Sequence, residues 1–154
     1  MTYGVIAINP VNYSDRRRSL YQNEAIKILI NNIPDDFVVL SCLFPNETTK
    51  INCKNSKVIY LERNSRNIIG NNRDLPYIKD IFSFCNEINC HIFGYINSDI
   101  ILSKDFFNIL KRDKDAYIFY RREIGETNVE RFNAGDYRRV WGGDKHEGND
   151  SFFF

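Results

Sequence analysis

Short apolar runs alternate along this chain with segments whose apolar residues recur every three or four positions. "YGVIAI" (residues 3–8) reads as a buried strand closed by Asn9-Pro10. In "SLYQNEAIKILINNI", Leu20, Ala25, Ile28 and Leu29 keep helical spacing until Pro34 ends the helix. "FVVLSCLF" (37–44) and "KVIYLE" (57–62) read as the second and third strands, with the polar loop "PNETTKINCKNS" between them. The polar segment "RNSRNIIGNNRD" leads to Pro76, which is placed as a first helical residue. The helix after it carries Ile78, Ile81, Phe82, Cys85 and Ile88 on one face. "HIFGYI" (91–96) is the fourth strand, followed by a short helix around "KDFFNILK" and a fifth strand, "AYIFYRR" (116–122). The remainder, from Glu123 to Phe154, is rich in glycine and charge, and its weak periodicity predicts no element.

Buried strands that alternate with amphipathic helices imply an α/β fold, with a mostly parallel central sheet flanked by helices. The length of 154 residues predicts a single domain over 1–154. A chain of that size buries roughly 70% of the surface its unfolded form exposes. Ligands of such sheets bind beyond the carboxyl ends of the strands. That rule selects the loops "NPVNYSDRRR" and "NSDIILSKD" before any motif is considered.

Composition adds exclusions. Hydrophobic residues make up 43% and charged residues 27%, ordinary values for a globular domain. The net charge of +1 calls for neither a nucleic-acid partner nor an anionic membrane. No apolar run reaches membrane-spanning length and no leader is recognisable, so a cytoplasmic location is expected. Cys42, Cys53, Cys85 and Cys90 form no C-x-x-C pair and are expected to be reduced, mostly buried thiols. The end "GNDSFFF" would be an aggregation liability if exposed. It predicts either a terminus packed on the core or a domain cut from a longer chain. Dinucleotide, P-loop and nucleophile-elbow motifs are absent from the sequence.

The candidate chemistry begins at Asn97-Ser98-Asp99, where a carboxylate stands at the lip of a buried strand. Divalent cations such as Mg²⁺ and Mn²⁺ are held by few carboxylates and share their shell with substrate phosphates, so Asp99 is a candidate metal ligand. The competing reading makes Asp99 a cap for the following helix. Arg66 and Arg73 carry guanidinium forks that match phosphate oxygens. Arg16, Arg17 and Arg18 at a helix start oppose the macrodipole, a conflict that a bound phosphate would relieve. Pro10, Asn12 and Tyr13 are candidates for a base pocket. The tail gathers Asp144, His146, Glu147 and Asp150, with His146 a candidate metal ligand. His91 reads as structural. Trp141 is either a sugar platform or core.

"YINSDIIL" resembles the Asp-X-Asp segment of GT-A-type glycosyltransferases, the nucleotide-diphospho-sugar transferases. The layout of "NNRDLPYIKDIFSFCNEINCHIFGYINSDI" is similar to their Arg-bearing helix and metal strand, and "HEGNDSFF" to a late Gly-X-Asp-X-Phe element. The resemblance implies a single GT-A-like (Rossmann-like) domain and transfer from a UDP- or GDP-sugar to a glycan or protein acceptor. It implies Mn²⁺ or Mg²⁺ on Asp99, with Asn97 and Ser98 beside the donor. It further implies Arg73 near the diphosphate and Asp150 as general base. The first acidic position of the motif is Asn97 in this chain. That departure favours a second reading, a non-catalytic GT-A-like binding or assembly module.

Overall fold

The computed structural model describes residues 2–70, 74–84, 87–112, 114–122 and 145–153, with backbone alone for 69, 118–122 and 145–152. Chain order is β1 (Thr2–Ile8), α1 (Arg16–Asn32), β2 (Phe37–Leu43), β3 (Ser56–Tyr60), α2 (Ser65–Ile69) and α3 (Ile78–Ser83). Then come β4 (Cys90–Ile96), α4 (Lys104–Leu110), β5 (Tyr117–Arg122) and β6 (Lys145–Phe153). The strands form one sheet in the order β3-β2-β1-β4-β6-β5. β3, β2, β1 and β4 are mutually parallel, while β6 runs antiparallel to both β4 and β5. The expected α/β, mostly parallel sheet flanked by helices is present.

Both faces of β1 and β2 are buried, which explains why their sequences run apolar without alternation. On one face, Ile6, Ile8, Phe37, Val39, Ile92 and Ile96 pack under Leu29 of α1 and Phe106, Phe107 and Leu110 of α4. On the other, Val5, Ala7, Val38, Leu40 and Phe93 pack under Ile81 and Phe82 of α3 and under Leu61. The predicted helical stripes hold at Ala25, Ile28, Leu29 and Ile81, but Leu20 and Ile78 lie half exposed at the margins of their helices.

Several local expectations are corrected. Pro76 does not open a helix. It forms a bridge with Asn64, and α3 starts two residues later with Tyr77 at its N-cap. The polar stretch before it contains α2, capped by the Asn64 side chain and closed by Gly70 at φ 68°. That left-handed angle is one that glycine adopts without steric cost.

The largest correction is β6, built from a tail with no legible periodicity. Its alternation is polar except at the end, so a strand signal was missing. Phe153 supplies the reason it forms: its ring is fully buried and stacks edge-on to Phe106 at 5.3 Å. Gly94 on β4 pairs with Phe153, and a methyl group at Gly94 would run into that ring. Of the residues that close "GNDSFFF", the described Phe153 side chain is packed on the core.

Candidate functional site

Sheet growth reverses between β1 and β4. The chain adds β2 and β3 on one side of β1, then places β4 on the other. The last β1–β4 pair is Ile8 with Ile96, so Asn9 and Asn97 leave the sheet side by side. Such switch points are where open α/β sheets take their ligands. The two loops selected from sequence are thereby neighbours.

The loop after β1 is held from three directions. Asn9 is buried, and its amide donates to the Cys42 carbonyl at 2.7 Å and to Glu47 Oε2 at 3.0 Å. Gln22 on α1, also buried, grips Val11 at both backbone groups. Its Oε1 accepts the Val11 N–H and its Nε2 donates to the Val11 carbonyl, each at 2.9 Å. Asn12 is exposed and ties to the loop after β2, accepting from the Thr49 hydroxyl and donating to Thr48. Pro10 is buried between these anchors. Buried amides bonded in this way, as Asn9 and Gln22 are, hold a loop in one conformation.

Glu47 belongs to the same network. Its carboxylate also accepts the Phe44 N–H at 2.8 Å. Burial raises its pKa above the ordinary glutamate range, the two hydrogen bonds oppose that shift, and the Asp74 charge adds to it. A raised folded-state pKa means that folding binds a proton, so this contribution to stability is present in acid and is lost as pH rises through the raised value. Glu47→Gln is therefore expected to gain stability relative to wild type as pH rises from 4 to 7. Urea unfolding at each pH measures that difference, and a constant difference would contradict the burial argument.

At the end of β4, Asn97 to Ile100 form a turn closed by the Ile100 N–H on the Asn97 carbonyl at 3.2 Å. Ser98 is buried and Asp99 is exposed. The helix-cap reading of Asp99 fails, because α4 begins at Lys104 with Ser103 in the cap position. The Asp99 carboxylate has no hydrogen bond or ion pair among the described residues. Tyr95, one pair short of the strand end, packs its ring against the cluster that includes Ala7, Cys42 and Phe93. Burial first, and then the nearby Cys42, Tyr13, Asp99 and Glu47, push its phenol well above the ordinary tyrosine range. Burial likewise pushes the Cys42 thiol up to about 12, so it stays protonated and unreactive at neutral pH. Cys42, Cys53 and Cys90 are free thiols.

The cationic candidates divide. Arg66 on α2 pairs with Asp74 at 3.2 Å, and α2 follows β3, two strands away from β1. Arg73 lies outside the described residues, as do Asp144 and Trp141. Arg16, Arg17 and Arg18 are exposed on the first turn of α1. Asp15 caps that turn by accepting the Arg18 N–H at 2.8 Å, which supplies the negative charge the helix start needs. Arg17 turns back onto Tyr21, donating to its hydroxyl at 2.8 Å. His91 stacks against Tyr3 near the amino end of β4, far along the strand from the site.

The acidic tail arrives by way of β6. Ser151 pairs with Ile96, the last residue of β4, so Lys145 to Asp150 continue past the end of that strand. The backbone of Asp150 therefore stands beside Asn97. It is also the extra residue in a register shift, since Ser151 pairs with Phe119 while Asn149 pairs with Tyr120. Bulges concentrate beside active sites, where they bend a strand and re-aim a residue. His146 lies farther out on the same strand, and the side chains of both residues are outside the described set.

Among the described residues no three His, Cys, Asp or Glu side chains converge as a metal cage. Sequence reasoning missed Asn9, Gln22, Glu47 and Tyr95. Gln22 was legible: it lies on the Ala25–Leu29 stripe of α1, where a polar residue must find a buried partner. Glu47 had no signal, because a loop carboxylate looks the same whether solvated or bonded. Comparison of the chain with protein-family models, with curated proteins and with solved structures finds no match.

Proposed function

We propose that the site between β1 and β4 binds a nucleotide sugar with a divalent cation, and that the chain is a GT-A-like glycosyltransferase acting on an acceptor hydroxyl. The observation that carries this reading is Asp99, an exposed carboxylate at the switch point with no partner among the described residues and no capping role. A cation that keeps most of its shell for water and phosphate needs only one or two protein carboxylates, so this donor set fits Mn²⁺ or Mg²⁺. Asp99 would hold the cation, with His146 a further candidate ligand. The cation would supply charge neutralisation for the departing diphosphate.

The remaining roles fall to the chain itself. The pinned loop with Pro10 and Asn12 presents a fixed surface to the nucleotide, and Asn97 and Ser98 border the donor. Arg73 is assigned to the diphosphate by resemblance, whereas Arg66 comes with its charge matched by Asp74. Asp150 takes the proton of the acceptor hydroxyl. That oxygen bonds to the anomeric carbon as the nucleoside diphosphate leaves with the electron pair of the broken bond. The acceptor is a glycan or a protein. No helix among the described residues is long and apolar enough to cross a membrane.

Nucleotide release from UDP- and GDP-sugars, assayed with Mn²⁺ and acceptor mixtures, tests the reaction. Release that falls at least about 100-fold in Asp150→Asn is expected of a lost general base. Binding without any release across the panel would instead establish the non-catalytic binding or assembly module, the reading that Asn97 favours.

A further inference from the structure

We propose that Tyr95 is a substrate-contacting residue, its hydroxyl donating a hydrogen bond to an oxygen of the bound nucleotide on the floor of the β1–β4 site. The inference rests on the nucleotide reading above and extends it to a residue outside the Asp-X-Asp-like segment. Tyr95 sits on β4 opposite Ala7 of β1 and Phe152 of β6, one position before the strand ends. Its ring packs against the core cluster, work that a phenylalanine would do equally well. The hydroxyl is therefore what needs an explanation.

No hydrogen bond engages that hydroxyl among the described residues, and it is not one of their buried, unsatisfied oxygens. The residue is only partly buried, and Tyr13 from the loop after β1, Asp99 from the turn after β4 and Glu47 from the loop after β2 are near enough to act on it electrostatically. Groups from three strand ends thus act on one phenol. A phenol carries its proton at neutral pH and can donate it to a hydrogen bond, and the matching ligand atom is an acceptor oxygen. Nucleotides present such atoms on phosphate, ribose and base.

Titration of wild type, Tyr95→Phe and Asp99→Ala with UDP, GDP and CMP in the presence of Mn²⁺ tests this, with ligand-free melting as the control. The expected result is a dissociation constant about five- to tenfold weaker for Tyr95→Phe, the size of one lost hydrogen bond. Ligand-free melting should be unchanged, since the ring is retained. Equal affinity in wild type and Tyr95→Phe, with Asp99→Ala impaired, would overturn the role of Tyr95 and leave the nucleotide reading standing. A loss of ligand-free stability that accounts for the weaker binding would also overturn it. If wild type binds none of the three nucleotides, the nucleotide reading fails and this inference fails with it.

Discussion

Phe153→Ala is expected to lower stability by about 3–5 kcal/mol, the cost of deleting a fully buried aromatic ring. The ring lies over Gly94, against Phe106, and joins β6 to the face covered by α4. A domain of this kind has about 5–15 kcal/mol of stability in total, so the loss is a large share of it. The corresponding fall in melting temperature is about 10 °C or more. Gly94→Val should be destabilising in wild type by about 1–3 kcal/mol, because the new side chain meets the Phe153 ring. In a Phe153→Ala background that clash is gone, and a double-mutant cycle by urea unfolding should show the two costs to be strongly non-additive. Additive costs would mean that β6 does not pack where Gly94 leaves room for it.

The same pair shows what could be read from sequence. β1, β2 and β4 were legible because their residues are buried on both faces, and a continuous apolar run survives in the sequence. β6 was not, because its sequence reads polar and glycine-bearing until its last residues, where the buried Phe153 joins the core. The location of the site followed from strand order: once β1 and β4 are adjacent, Asn9 and Asn97 must be neighbours. The pinning of the loop did not follow, since the bonds of Asn9, Asn12 and Gln22 join residues up to 38 positions apart. Periodicity carries no information about such pairs. Asp99 shows the limit most clearly. From spacing it was a cap or a ligand, and only the start of α4 at Lys104 removes the cap.

Asp99→Ala carries the second large effect, and its form separates function from structure. An exposed carboxylate with no partner among the described residues contributes little to folding, so the ligand-free variant should match wild type within about 0.5 kcal/mol. The effect appears when ligand is added. A nucleotide sugar at 100 times its dissociation constant adds about 2.7 kcal/mol to the wild type, and that gain should vanish in the variant. Loss of ligand-free stability in Asp99→Ala would return the residue to a structural role.

Melting of the wild-type chain with UDP-, GDP- and CMP-sugars, each with and without Mn²⁺, asks whether the β1–β4 site is a metal-dependent nucleotide-sugar site. A rise of about 5–10 °C with at least one UDP- or GDP-sugar, present only with the metal, is the predicted result. No rise with any nucleotide sugar in the presence of Mn²⁺ would contradict it.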